Sequence, residues 1–136
     1  MPYLYHAACQ SHQSGIPMIR PLVMEYPKDP IAKIQNLSYM LGDALLISPG
    51  FDRDEYELYL PEGRWQDIES KEVYEGMTFV HIENKAFADG GTSLRVFQKE
   101  GTSIPLFAQK EVLHVPAQLW KQEDLEFMTF QKKDVD

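Results

Sequence analysis

Four histidines are the residues of this chain that could most readily hold a metal ion or move a proton. His6 and His12 are six residues apart on a predicted helix, so they lie on different faces rather than on the shared face that ligands at i and i+4 occupy. His81 and His114 belong to separate predicted strands. Because no dense ligand spacing is present, we predict structural or surface histidines and no metal site.

Carboxylates form the second candidate group. The densest acidic run, residues 52–55, offers the hard oxygens that Ca²⁺ prefers, but the twelve-residue loop pattern is missing, since Gly63 falls inside a Pro-Glu-Gly turn. A solvated hairpin turn is the better interpretation. Asp43 and Asp67 could act as acid and base on a glycosidic bond. An Asp after a Gly at a strand entrance more often accepts hydrogen bonds from nearby backbone amides, and we favour that structural role.

No motif supplies a nucleophile or a phosphate cradle. Ser14-Gly15 and Thr102-Ser103 lack the flanking pattern of a nucleophile elbow, and Cys9 lies in a predicted helix as a small apolar filler. We therefore predict no catalytic, cofactor-binding or metal-binding residue and no cofactor. A lone cysteine forms no internal disulfide, and the N-terminus lacks the basic and apolar stretches of a secretory signal, so a cytoplasmic location is expected.

Charge and length narrow the function classes further. Thirteen Lys and Arg against 21 Asp and Glu give a formal net charge of -8, which provides no cationic field for nucleic acid or an anionic membrane surface. No apolar segment approaches the roughly 20 residues of a spanning helix. The 136 residues suffice for one domain, whereas an eightfold βα barrel needs roughly 200 or more, so the chain could at most contain a piece of one.

The pattern changes along the chain from α/β to β. Apolar spacing predicts a short helix over residues 2–14, ended by Gly15, and the apolar run of residues 16–24 predicts a strand buried on both faces, such as a parallel strand. Residues 25–36 are predicted to be a connector in which Asp29 caps a short helical turn. Further short strands are predicted at residues 44–48, 56–60, 64–68, 73–74, 77–82, 94–98, 103–107 and 125–130, separated by Gly and Pro turns. Such spacing predicts an antiparallel β-sandwich or barrel-like sheet.

Five sequence segments match a known protein family in the same order and at the same spacing, and the match extends over most of the chain. The sequence is similar to the C-terminal part of glycoside hydrolase family 31, which contains retaining α-glucosidases and α-xylosidases, and within it to the α-xylosidase branch. The segments are PYLY (residues 2–5), GIPMIRPL (15–22), YMLGDALLISP (39–49), YLPEGRW (59–65) and VFQKEGTSIPL (96–106).

The resemblance implies a mainly β fold, an antiparallel β-sandwich preceded by the last helix and strand of a truncated (β/α)8 barrel. Residues 1–42 would be the tail end of the catalytic barrel and residues 43–122 the proximal C-terminal sandwich. Residues 123–136 would be the start of a distal β domain or a disordered tail.

The resemblance also implies a retaining α-glycosidase that hydrolyses terminal non-reducing α-linked sugars, with an oligosaccharide substrate. One aspartate would attack the anomeric carbon and a second would act as acid and base, and both would lie upstream of Met1. Asp43 matches a Gly-Asp motif that resembles a structural junction, and Arg20 would anchor the barrel to the sandwich.

Two further expectations remain open. In a severed barrel, the helix near Leu4 and the strand near Ile19 would leave an apolar face, which predicts a homo-oligomer. The alternative function is a non-catalytic β-sandwich module that binds carbohydrate or a protein partner, with Trp65, Trp120 or Tyr74 as stacking platforms.

Overall fold

A computed structural model describes residues 2–35, 38–49, 55–83, 94–107 and 125–131. Its helices are α1 (Pro2–Ser14) and α2 (Leu22–Glu25). Its strands are β1 (Ile19–Pro21), β2 (Tyr39–Leu41), β3 (Leu45–Pro49), β4 (Glu55–Leu60), β5 (Arg64–Asp67), β6 (Val73–Glu75), β7 (Thr78–Glu83), β8 (Leu94–Lys99), β9 (Thr102–Phe107) and β10 (Leu125–Phe130). Neither helix is long and apolar enough to cross a membrane.

The described strands form one large sheet and two ribbons, and every pairing is antiparallel. The six-stranded sheet has the order β1-β2-β3-β8-β5-β6, while β4 pairs with β7 and β9 pairs with β10. The prediction of a mainly β, antiparallel fold is confirmed.

Two apolar clusters lie on opposite faces of the large sheet, because side chains alternate along β3. Leu46 packs with Trp65 and Phe97 against Leu58 and Ile82 of the β4–β7 ribbon. On the other face, its neighbours Leu45 and Ile47 cluster with Tyr3 of α1 and Ile104 of β9. The fold is therefore layered, with the ribbon on one side of the sheet and α1 with the β9–β10 ribbon on the other.

The predicted parallel strand over residues 16–24 is wrong. Only Ile19–Pro21 is extended, and it pairs antiparallel with β2, with Ile19 opposite Leu41. Pro17 and Pro21 lack the amide hydrogens that a central strand must donate, so this segment suits a short strand at the edge of a sheet. The chain then turns into α2 at Leu22.

The domain division stays a prediction. β1, β2 and β3 share one sheet across the proposed boundary at residues 42 and 43. Across the boundary at 122 and 123, β10 pairs with all six residues of β9. Within the segment 123–136, predicted as the start of a distal β domain or a disordered tail, residues 132–136 lie outside the described residues.

Candidate functional site

The Gly-Asp motif forms the turn between β2 and β3, and α1 holds it in place. The Tyr3 hydroxyl donates to the Leu41 carbonyl at 2.5 Å and accepts from the Ala44 amide at 3.2 Å. Burial raises the pKa of Tyr3 to about 12, so the phenol stays neutral and can donate. Asp43 is exposed in this turn. These contacts hold the turn through its backbone, and no backbone amide of the described residues donates to the Asp43 side chain as the sequence had predicted.

Asp67 is buried at the end of β5 and caps the chain that follows. Its Oδ1 accepts from the amides of Glu69 and Ser70 at 2.9 and 3.2 Å, and its Oδ2 lies 3.6 Å from Arg95 Nη2. Asp43 lies just before β3, and Asp67 lies on β5. Because β8 lies between these two strands, Asp67 is roughly 10 Å from β3 across the sheet. The structure does not bring the two aspartates together as an acid and base pair.

Arg20 is buried and makes two short local hydrogen bonds. Its Nε donates to the Pro17 carbonyl and its Nη1 to Glu25 Oε1, both at 2.6 Å. These bonds tie β1 to α2, which is a structural role.

The histidines do not converge. His6 and His12 are exposed on α1, and His114 lies outside the described residues. On β7, His81 Nδ1 lies 2.9 Å from Glu57 and its Nε2 lies 3.4 Å from Glu55. Glu55 is the one described member of the acidic run 52–55. Within the described ranges, no group of three or more His, Cys, Asp or Glu side chains is arranged to hold a metal ion.

Two of the three aromatic residues considered as sugar platforms pack within the fold. Trp65 is 0% exposed and its Nε1 donates to the Pro61 carbonyl at 2.9 Å, so its use as a stacking platform is wrong. Tyr74 is half-buried, donates to Glu72 at 2.5 Å and meets Phe97 edge to face. Trp120 lies outside the described residues.

A feature missed by the sequence analysis is a cleft of about 380 Å³ beside the connector, here named the connector cleft. It is lined by residues 25–30, Glu62 and Met77. The connector holds its shape because Asp29 Oδ1 accepts from the amides of Ile31 and Ala32 at 2.9 and 3.3 Å. This cap agrees with the predicted helical turn.

Asp29 is fully occupied by the fold. Its Oδ2 accepts a 2.6 Å hydrogen bond from Tyr59. Burial raises the pKa of Asp29, but the bonds from Tyr59, Ile31 and Ala32 outweigh it and leave the pKa below its ordinary value. Consistently, burial and the Asp29 carboxylate raise the pKa of Tyr59 to about 12.

Tyr26 is the aromatic residue that lines the connector cleft. Its hydroxyl is buried and has no hydrogen-bond partner among the described residues. Burial, followed by the carboxylates of Glu25 and Glu62, raises the pKa of this phenol above its ordinary value of 10.0. Lys99 Nζ lies 5.4 Å from the centroid of the Tyr26 ring and fixes the ring by a cation–π contact.

Comparisons with known proteins agree with the motifs. Residues 15–111 match the profile described as glycosyl hydrolase family 31 C-terminal domain. Human neutral alpha-glucosidase AB is 35% identical over 109 residues, which cover 77% of this chain and 11% of that protein. Isomaltosyltransferase of Sporosarcina globispora is 32% identical over 78% of this chain and 9% of its own length. The chain thus spans about a tenth of the length of these curated relatives.

Solved structures show the same architecture. A GH31 dextranase of Flavobacterium johnsoniae, complexed with glucose, superposes with a TM-score of 0.75 and 27% identity over 97% of this chain and 16% of its own. The cycloalternan-forming enzyme of Listeria monocytogenes, in complex with a pentasaccharide substrate, gives a TM-score of 0.68 and 39% identity over 76% of this chain and 10% of its own.

Proposed function

Because the chain belongs to glycoside hydrolase family 31 and corresponds to its C-terminal domain, we propose that it is part of a retaining α-glycosidase acting on terminal α-linked sugars of an oligosaccharide. The profile match over residues 15–111 carries this proposal. Relatives named as α-glucosidases and a dextranase support it.

In this proposal the 136 residues supply structure rather than chemistry. Two of the candidate carboxylates are engaged in folding, since Asp67 caps a turn and Asp29 caps the connector, whereas Asp43 lies exposed in the turn that Tyr3 holds. The nucleophile and the acid–base aspartate would come from a preceding barrel, and the sandwich would brace that barrel.

The test is to sequence the DNA upstream of the Met1 codon and to express the longest frame that contains this chain. We expect an open frame whose product hydrolyses nitrophenyl α-glucoside or α-xyloside, while the 136-residue chain alone does not. Hydrolysis by the short chain itself, or a stop codon just upstream combined with expression of the short product, would overturn the proposal.

Two properties of the short chain belong to the same proposal. We propose a cytoplasmic location, which the unpaired Cys9 supports because thiols persist in a reducing compartment. We also propose that the chain forms homo-oligomers, which the exposed apolar side chains of Ile16, Ile19 and Met24 support.

A further inference from the structure

We propose that residues 26–35, here named the strap, open away from the β4–β7 ribbon as one unit while the sheet stays folded, with the hydrogen bond between Asp29 and Tyr59 as the latch. The strap lies between α2 and β2 in the chain. It covers part of the outer face of the ribbon, and few contacts hold it there.

The strap covers one member of an aromatic pair on that outer face. Side chains alternate along β4, so Leu58 and Leu60 face the core and Tyr59 faces outward. Tyr59 is nevertheless only 1% exposed, because the strap lies on it and Asp29 accepts its hydrogen bond at 2.6 Å. Opposite Tyr59 on β7, Phe79 is 50% exposed, and the two ring centroids are 5.2 Å apart. Opening of the strap would uncover Tyr59 beside a ring that is already accessible.

The backbone of the strap bonds to itself rather than to the sheet. Within the described residues, each backbone hydrogen bond of residues 27–35 ends inside the strap, three or four residues away, and the donors are the amides of Asp29, Lys33, Ile34 and Gln35. Pro27 and Pro30 have no amide hydrogen that could be donated to a strand. The strap can therefore move without breaking a strand pairing.

Side chains supply the anchors of the closed strap. Among the described residues, the bond from Tyr59 to Asp29 Oδ2 is the one side-chain hydrogen bond that joins the strap to a strand. Ala32 is buried in the core cluster but contributes a single methyl group, and Ile34 is 76% exposed. A hydrogen bond to a carboxylate is roughly twice as strong as one between neutral groups, so this bond is the main latch.

Two features disfavour the closed strap. The Tyr26 hydroxyl, at the start of the strap, is buried without a hydrogen-bond partner among the described residues, and an unpaired buried phenol costs free energy that water would restore in the open form. The connector cleft of about 380 Å³ separates the strap from Glu62 and Met77, so packing contacts are missing on this side. The latch and the unpaired hydroxyl therefore act in opposite directions on one equilibrium.

Amide hydrogen exchange of the 136-residue chain, followed by NMR at several urea concentrations below the unfolding transition, measures strap opening. We expect the amides of Ile31, Ala32 and Gln35 to exchange with one shared opening constant, and faster than the amides of β3 and β8. Urea should change the exchange of the strap amides little, because opening exposes little surface. It should speed the exchange of the β3 and β8 amides steeply, because these need global unfolding.

Two tyrosine substitutions should have opposite effects on the strap. Tyr59→Phe removes the latch and should speed the exchange of the three strap amides together by roughly five- to fiftyfold. Tyr26→Phe removes the unpaired hydroxyl and should slow their exchange by roughly three- to tenfold. Tyr74→Phe is the matched control, since it removes a hydrogen bond to Glu72 that strap opening leaves intact, and it should not change the exchange of the strap amides.

Several results would overturn the inference. They are exchange of the strap amides only together with those of β3 and β8, unequal responses of the three strap amides to Tyr59→Phe, or the same acceleration by Tyr74→Phe as by Tyr59→Phe. If Tyr59→Phe does not fold, Tyr26→Phe decides the question, because unchanged or faster exchange in that variant would also overturn strap opening. None of these outcomes depends on hydrolysis by the longer product, so the proposed function is tested separately.

Discussion

At the scale of single residues, Gly42 shows how the Gly-Asp motif constrains the fold. Its φ is +67°, and a Cβ at this position would collide with the Tyr3 hydroxyl that holds the turn. Gly15 has a similar φ of +76° but open space around it. Replacing Gly15 therefore measures the cost of the positive φ alone, whereas replacing Gly42 adds the cost of the collision with Tyr3.

We expect Gly42→Ala to lower the free energy of unfolding by about 2–4 kcal/mol, and Gly15→Ala by only about 1 kcal/mol. Urea denaturation of both variants measures the difference. Adding Tyr3→Phe to Gly42→Ala should recover part of the loss, because the colliding oxygen is then absent. Equal losses for the two glycine variants would contradict the role assigned to the close approach of Tyr3.

His81 makes the β4–β7 ribbon sensitive to pH. The hydrogen bond to Glu57, with further attraction from Glu57, Glu55 and Glu83, raises the pKa of His81 above its ordinary value of 6.5. A histidine whose pKa is higher in the folded than in the unfolded chain stabilises the fold at pH values below its unfolded pKa. This stability is lost as the pH rises through its folded pKa.

We therefore expect the chain to be more stable at about pH 6 than at about pH 8.5, and His81→Gln to remove that difference. Urea denaturation across this range measures the stability, and an NMR titration of the imidazole gives the pKa. His12→Gln is the matched control, since His12 is also exposed but lies on α1. A His81 pKa at or below 6.5 would contradict this account.

At the scale of elements, Asp67 organises the connection between β5 and β6. Its backbone closes the turn, because its amide donates to the Glu72 carbonyl and its carbonyl accepts from Lys71, both at 2.9 Å. Its side chain caps the amides of Glu69 and Ser70.

We expect Asp67→Ala to cost about 2–4 kcal/mol of unfolding free energy, because two amides lose their acceptor and Arg95 loses its charged partner. Asp67→Asn keeps an oxygen for the cap and should cost about half as much. Thermal unfolding of the two variants checks this order. Equal losses for the two variants would mean that the ion pair with Arg95 outweighs the cap.

The strands could be predicted because turn residues mark their ends. Each of β4, β5, β6 and β7 lies within two residues of its predicted bounds, since Gly, Pro and acidic turn residues separate them. Which strands pair with each other could not be predicted. β3 pairs with β8, about fifty residues further on, and no local pattern encodes that choice.

The strand at residues 16–24 and the connector cleft were misjudged for different physical reasons. The apolar run at residues 16–24 looked like a buried central strand, but its prolines place Ile19–Pro21 at the edge of the sheet. The connector cleft escaped notice because residues 25–30, Glu62 and Met77 meet only after the sheet and the β4–β7 ribbon have assembled. The prolines are a local signal for the edge position, whereas the cleft does not follow from local propensity.

At the scale of the whole molecule, the fold exposes apolar groups at one end of its main sheet. β1 is the edge strand of the six-stranded sheet, and its Ile19 is 62% exposed. Nearby in sequence, Ile16 and Met24 are 44% and 47% exposed. An edge strand with apolar side chains offers both unpaired backbone groups and a surface for a second copy.

We expect the chain to form dimers or higher oligomers at tens of micromolar, as measured by light scattering, with an interface at β1. The double substitution Ile19→Lys and Met24→Lys should shift it to monomer, because charge on the edge strand opposes pairing and charge at Met24 of α2 interrupts the adjacent apolar surface. Ile34→Lys is the matched control, since Ile34 is 76% exposed but lies on the connector and not on this edge. If the unsubstituted chain is a monomer, the proposed interface is wrong. If the doubly substituted chain is still an oligomer, the interface lies elsewhere.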